Sequence, residues 1–133
     1  MTIRQLLYGL MLPSGNDAAY TIAVHVARTV SDNTDMEDTE AVKCFAELMN
    51  DFCAEIGANN SHFVNPEGWH AEDHFTSVRD LAIITQYAMT IPLICDIVVT
   101  PKYEFVAESG EAMVFLNSNP FVNPLSQNYS EYV

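Results

Sequence analysis

The chain has 133 residues, which is long enough for one domain and too short for two of ordinary size. Apolar residues make up 49% of the chain and aromatic residues 11%, so a folded core is expected and disorder is excluded. The formal net charge of −13 excludes nucleic acid and anionic membrane surfaces as partners, because binding to either needs clusters of lysine and arginine.

Two amphipathic helices are predicted at the start of the chain, joined by a sharp corner. Apolar residues recur at helical spacing over residues 3–12 and over residues 17–29, and Thr2 is placed to cap the first helix. Pro13 ends the first helix, because its ring removes a backbone donor. Three corner residues can each accept a hydrogen bond from the free N–H groups of the second helix: Ser14, Asn16 and Asp17.

An acidic loop and one long helix are predicted next. Residues 31–38 are polar and aperiodic, and they lack the ligand spacing and central glycine of a calcium loop. A third helix follows, capped by Thr39 and ended by Gly57. It carries a single apolar stripe made of Val42, Phe45, Met49, Phe52, Cys53 and Ile56.

The connection over residues 58–75 is long for a compact domain, which indicates a function for it. It holds His62, His70 and His74, and the last two have a spacing that could share a zinc ion on a helix. Pro66, Gly68 and the absence of apolar periodicity favour a loop instead. No metal site is therefore predicted.

A fourth helix is predicted after Ser77, with Asp80 completing a capping box. Its expected buried face consists of Leu81, Ala82, Ile84, Tyr87 and Ala88. Pro92 starts a short fifth helix. The segments 103–106 and 112–116 then predict a β-hairpin, and the rest of the chain is expected to be irregular.

Four blocks of sequence occur in an order that matches one enzyme family. They are LLYGLMLPSGNDAA at 6–19, NSHFVNPEGW at 60–69, HFTSVRDLA at 74–82 and LNSNPF at 116–121. In these blocks the chain resembles the low-molecular-weight penicillin-binding proteins, the serine D-alanyl-D-alanine carboxypeptidases of peptidase family S11. The tripeptide Ser14-Gly15-Asn16 matches the family's second active-site motif, Ser-x-Asn. The chain departs from the family at Glu67 and Trp69, where His and Leu are usual.

The resemblance implies a role for each residue of the corner. Ser14 would be the proton-shuttling hydroxyl that hydrogen-bonds the catalytic lysine, and Asn16 would bind the amide of the substrate. Gly15 would let the backbone come close to the neighbouring motifs. Asp17 is expected to cap the second helix rather than to act on substrate. The alternative nucleophile pair of Ser14 with His25 is rejected, because His25 lies three turns further along that helix. No cofactor is implied.

Two motifs that the family needs, Ser-x-x-Lys and Lys-Thr-Gly, do not occur in this sequence. Its only lysines are Lys43 and Lys102; neither has a serine three residues before it, and neither is followed by Thr-Gly. Tyr129 and Tyr132 match the tyrosine-rich segment that precedes Lys-Thr-Gly in the family. The chain therefore resembles the middle third of a catalytic domain, and it is expected to be inactive alone.

The expected fold is mainly α, as a single domain over residues 1–133. It would be the helical subdomain of the penicillin-binding and β-lactamase-like transpeptidase fold, with a small β-hairpin and without the main antiparallel sheet. The expected function is that of a central segment of a serine D-Ala-D-Ala carboxypeptidase. The complete enzyme would act on peptidoglycan stem peptides, bind β-lactams and work outside the cytoplasmic membrane; no signal peptide is recognised in this chain.

Two alternatives to that function remain open. One is a non-catalytic binding module derived from the same fold, and the other is one half of a split enzyme. Because the sheet of the family would be missing, an apolar face would be left uncovered, and a homo-oligomer is also expected.

Overall fold

Residues 1–129, the part of the chain that the computed structural model describes, form five helices and a β-hairpin. In chain order the elements are α1 (Ile3–Met11), α2 (Asn16–Val30), α3 (Asp38–Glu55), α4 (Val78–Ala88), α5 (Pro92–Val98), β1 (Lys102–Val106) and β2 (Ala112–Leu116). The predicted mainly-α fold with a small hairpin is confirmed, and the only sheet within these residues is the antiparallel pair β1–β2. Tyr132, which was matched to the family, lies outside the described residues.

The first helix begins and ends where its sequence indicates. Thr2 Oγ1 accepts a hydrogen bond from Gln5 N at 3.2 Å, and Gln5 Oε1 accepts one from Thr2 N at 2.8 Å, so a complete capping box precedes α1. The helix ends at Met11, with Leu12 as its C-cap, because Pro13 cannot continue it.

One predicted helix cap is only partly correct and another is wrong. The N-cap of α2 is Gly15, which uses no side chain; Asp17 Oδ1 instead accepts from Ala18 N at 2.8 Å, within the first turn. For α3 the N-cap is Glu37 rather than Thr39. This helix starts early because the Arg28 guanidinium donates to Met36 O and to Asp38 Oδ1, which ties its first turn to α2.

Alanines on α2 bring α1 and α3 close to it. Ala19, Ala23 and Ala27 are all buried along this helix. One apolar cluster lies between α2 and α3 and consists of Val24, Ala27, Met36 and Ala41, with Val42, Cys44 and Phe45 packed against it. The predicted stripe of α3 is only partly correct, since Phe52 stays exposed.

A second cluster joins α1, α5 and the hairpin. It is built from buried Tyr8, Leu12 and Ile97, with Tyr103 and Phe115 of the hairpin packed against it. The rings of Tyr8 and Tyr103 are stacked, with their centroids 3.8 Å apart and an interplanar angle of 3°. The hairpin is therefore fixed against the end of α1, next to the corner at residues 12–15.

The predicted buried face of α4 is largely wrong: of its five residues only Ile84 and Ala88 are half-buried, and none is buried. Leu81 and Tyr87 are both more than two-fifths exposed, and the only buried residue of the helix is Asp80. The reason is that α4 meets the rest of the described chain mainly through Asp80 and through an edge contact between Tyr87 and Phe52. No single helix within residues 1–129 is long and apolar enough to cross a membrane; α4 and α5 meet that criterion only together, across a bend of 108°.

Candidate active-site corner

The corner between α1 and α2 is held at both of its ends. Leu12 is fully buried, and its carbonyl accepts a hydrogen bond from Ser118 N at 2.8 Å. Gly15 N donates to Gly9 O at 3.0 Å, across the turn. The backbone between these two points therefore has a defined path, although it lies at the surface.

Ser14 occupies the left-handed region of backbone conformation, with φ at +62°. For an L-residue other than glycine this region costs about 1–2 kcal/mol. Such strain persists only where the surrounding structure imposes it, and it is concentrated at functional sites. Ser14 and Asn16 are both exposed, so the hydroxyl and the amide that the family resemblance assigns to the reaction are presented to solvent.

Two glycines allow the corner to form. A Cβ atom on Gly15 would lie 2.7 Å from Gly9 O, which is a backbone atom and cannot move aside alone. A Cβ atom on Gly9 would lie 3.2 Å from Cε2 and Cζ of the Phe115 ring. The backbone of Gly15 thus comes close to α1. Gly15 was expected to let the backbone come close to the neighbouring motifs, but those motifs are not in this sequence. No role was predicted for Gly9, although it lies in the first block that matches the family.

Asn117 fixes the segment that binds the corner from outside. It is buried, its Nδ2 donates to Val98 O and Thr100 O at 3.0 Å each, and its Oδ1 accepts from Asn119 N at 2.9 Å. These bonds anchor the residues around Ser118, whose N–H binds Leu12 O. From the sequence, Asn117 was recognised only as part of the block LNSNPF that matches the family.

A pocket of about 150 Å³ lies beside the corner. Its wall includes Gly9, Gly15, Asp17 and Phe115, whereas Ser14 is not part of it. The structure therefore places the proposed catalytic hydroxyl on the exposed side of the corner and the packing contacts on the other.

Two of the three histidines of the connection 58–75 contact the main chain, and His70 is exposed. His62 Nδ1 lies 2.6 Å from Asp73 O, and His74 Nδ1 accepts from Val64 N at 3.2 Å. Nowhere in residues 1–129 do three or more histidine, cysteine, aspartate or glutamate side chains come together as a metal site would require. His25 lines a separate groove of about 320 Å³ on α2, together with Arg28.

Asp80 holds the connection against α4. It is 1% exposed, and its Oδ2 accepts hydrogen bonds from Asn60 N at 2.6 Å and from Ser61 Oγ at 2.8 Å. Burial works against ionisation of this carboxyl, but the hydrogen bonds from Ser61 and Asn60 hold its pKa below the ordinary value. The carboxyl is thus bonded to the loop and does not complete the predicted capping box. Ser77 acts as predicted, since its Oγ accepts a hydrogen bond from Asp80 N at 3.1 Å.

Two asparagines shape the rest of the connection. Asn50 of α3 accepts from Phe63 N and donates to Phe63 O, both at 2.8 Å. Asn65 Oδ1 accepts from Gly68 N and Trp69 N at 2.8 and 3.0 Å, and its Nδ2 donates to Trp69 O at 2.7 Å. Trp69, at one of the two positions that depart from the family, is 71% exposed at this turn.

Comparison with known proteins identifies the family. The sequence pattern of the D-alanyl-D-alanine carboxypeptidases matches residues 1–130. A D-alanyl-D-alanine carboxypeptidase of a Streptomyces species is 35% identical over 103 residues, which are 77% of this chain and 33% of that protein. One from Mycobacterium tuberculosis is 32% identical over 115 residues, 85% of this chain and 35% of that protein. The chain thus spans about a third of the length of these curated relatives.

Solved structures agree in fold. A mutant of a Streptomyces DD-transpeptidase superposes with a TM-score of 0.80 at 32% identity, over 94% of this chain and 48% of that one. A D-alanyl-D-alanine carboxypeptidase from Mycobacterium tuberculosis gives 0.73 at 30% identity, over 92% of this chain and 42% of that one. With the family pattern running through the corner, the connection and the hairpin alike, this chain belongs to the D-alanyl-D-alanine carboxypeptidase family.

Proposed function

We propose that this chain is a central segment of a serine D-Ala-D-Ala carboxypeptidase and supplies the Ser-x-Asn motif, Ser14-Gly15-Asn16, to its active site. The observation that carries the proposal is the left-handed, exposed Ser14 on a corner fixed at both ends, inside a family match that covers nearly the whole chain. The substrates would be peptidoglycan stem peptides ending in D-Ala-D-Ala, β-lactams would acylate the complete enzyme, and the reaction would take place outside the cytoplasmic membrane.

The proposed chemistry divides the work between this chain and the segments that carry the other motifs. In this family acyl transfer needs a nucleophilic serine with a lysine, in Ser-x-x-Lys, and a wall bearing Lys-Thr-Gly; neither motif is in this sequence. Ser14 can donate and accept a hydrogen bond at once, so its hydroxyl would pass a proton between the lysine and the leaving amine. Asn16, the first residue of α2, would bind the amide of the acyl part of the substrate. Alone, the chain would neither cleave peptide nor be acylated.

The test is a chimera in which this chain replaces the matching third of the Streptomyces carboxypeptidase. We expect the chimera to react covalently with a fluorescent penicillin and to release D-alanine from a peptide ending in D-Ala-D-Ala. Changing Ser14→Ala should lower the acylation rate by about 10²–10⁴-fold, the usual contribution of a positioned proton-transfer group. Changing Asn16→Ala should lower kcat/KM by roughly 10- to 100-fold, because a substrate amide loses its partner.

Two controls make the result decisive. Ser31→Ala alters an exposed serine at the far end of α2 and should leave the acylation rate unchanged. The isolated chain should not be labelled by penicillin. Equal rates for Ser14→Ala and Ser31→Ala, or labelling of the isolated chain, would contradict the proposal. Activity on mixing this chain with the remaining segments as separate polypeptides would show that the split arrangement can work.

A further inference from the structure

We propose that Phe115 and Gly9 are positioning residues for Ser14. The ring of Phe115 sets the place of Gly9 at the end of α1, the carbonyl of Gly9 holds Gly15, and this contact imposes the left-handed conformation on Ser14. The inference rests on the proposed function, because it takes Ser14 as the hydroxyl that the reaction uses.

The first step is the contact between the hairpin and α1. Gly9 is buried, and a Cβ atom there would lie 3.2 Å from two carbons of the Phe115 ring, inside the ordinary contact distance of about 3.5–4.0 Å. The ring therefore lies directly on the bare Cα of Gly9. Phe115 belongs to β2 and packs edge-on against Phe105 of β1, with their centroids 5.7 Å apart. The ring of Phe115 is thus held by Phe105 within the hairpin as well as by its contacts with α1 and α5.

The second step is the contact between α1 and the corner. Gly9 O belongs to the last turn of α1, where carbonyls lack a partner within the helix. It accepts from Gly15 N at 3.0 Å, six residues later. A Cβ atom added to Gly15 would lie 2.7 Å from the same oxygen. The two backbones are therefore too close for any residue other than glycine at position 15.

The third step is the conformation of Ser14. To bring Gly15 N back to Gly9 O, the chain must reverse direction within Leu12, Pro13 and Ser14. Leu12 is helical, with φ at −79° and ψ at −62°, and the ring of Pro13 fixes its own φ at about −65°. The reversal therefore falls on Ser14, at φ +62°. A shift of Gly9 away from Gly15 would remove the need for that conformation, and the hydroxyl would move.

The experiment measures the corner directly in the isolated chain by NMR. The exchange rate of Gly15 N–H reports its bond to Gly9 O, and the Cα and Cβ chemical shifts of Ser14 report its backbone conformation. Ala23 N–H, in the buried middle of α2, is the internal reference for global unfolding. The variants are Gly9→Ala, Phe115→Leu and their combination. Val114→Ala is the matched control, since Val114 is exposed on the other face of β2.

We expect Gly9→Ala to raise the Gly15 exchange rate roughly tenfold relative to Ala23, as the loss of one hydrogen bond would. The Ser14 shifts should leave the left-handed range in the same variant. Phe115→Leu alone should give a smaller change in the same direction. The double variant should recover towards the unmodified chain, because the added methyl group fills space that the smaller side chain vacates. Val114→Ala should change neither signal.

Three outcomes would overturn the proposal. They are an unchanged Gly15 rate in Gly9→Ala, an equal change at Gly15 and Ala23, and a double variant no better than Gly9→Ala alone. None of these readings depends on catalysis. If the corner responds as expected while the chimera with Ser14→Ala keeps full activity, the proposed function fails and the positioning of Ser14 by Gly9 and Phe115 remains.

Discussion

The corner at residues 12–15 and the connection over residues 58–75 both join helices and both carry exposed polar residues, but different kinds of contact stabilise them. In the corner the contacts come from backbone atoms and bare glycines: Gly15 N with Gly9 O, and Leu12 O with Ser118 N. In the connection one backbone pair joins His62 and Phe75. Polar side chains supply further contacts there: Asp80, Asn50 and Asn65 each accept hydrogen bonds from loop N–H groups.

The difference bears on which polar residues can do chemistry. In the connection the side chains of Ser61 and Asn65 are already committed to structural hydrogen bonds. The histidine rings of His62 and His74 are likewise bonded to main-chain atoms. In the corner the backbone supplies the structural bonds, so Ser14 and Asn16 stay exposed and open to a partner. A polar residue in a family motif can therefore be assigned a chemical role only after its hydrogen-bond partners are known.

The largest effect that we expect on stability follows from the backbone contact in the corner. Gly15→Ala should lower the free energy of unfolding by about 2–3 kcal/mol, because the new Cβ atom would meet the fixed Gly9 carbonyl. Gly57→Ala is the matched control: nothing lies within 4 Å of its added Cβ atom, and only its φ of +85° opposes the change, at a cost of about 1 kcal/mol. Urea denaturation measures both, and equal midpoints would refute the steric account.

An effect of intermediate size is expected in acid, and it should be confined to the connection. Because the pKa of Asp80 is held below its ordinary value of 3.8, its ionised form favours the folded state. This stabilisation is fully present above about pH 4, the range of an unperturbed aspartate, and it is lost as the pH falls through the lowered folded pKa.

The measurement for this acid effect is the NMR signal of Asn60 N–H, followed from about pH 5 to about pH 2 beside that of Gly15 N–H. Asn60 should lose its folded signal first. In Asp80→Asn the Asn60 signal should be weaker at neutral pH, and the difference between the two regions in acid should disappear. Simultaneous loss of both signals in the unmodified chain would show that Asp80 does not act locally.

The smallest effect concerns self-association, which we propose occurs through α4. Leu81, Met89 and Ile91 in and just after this helix are each more than two-fifths exposed, and apolar surface of this kind favours association. The net charge of −13 opposes it, so raising the salt from about 0.05 M to about 0.5 M should tighten a dimer only by roughly tenfold. Sedimentation of the unmodified chain and of Leu81→Glu tests this; a monomer at high salt and high concentration would contradict it.

Much of the local structure follows from the sequence. The capping box at Thr2, the end of α1 before Pro13, the end of α3 at Gly57 and the hairpin were all predicted, because each depends on residues close together in the chain. The candidate residues Ser14 and Asn16 came from the family motif. The caps of α2 and α3 were not predicted, since Gly15 and Arg28 act through contacts with other elements.

By itself, the sequence determined which residue types stand at the corner and that the chain turns there. Only the tertiary structure decided how the turn is made, because Ser14 becomes left-handed only when Gly15 is held to Gly9 and Gly9 lies against Phe115. It also decided that Asp80 is buried while its helix stays exposed. The physical reason is the same in both cases: close packing and desolvation depend on partners distant in sequence, which no local pattern encodes.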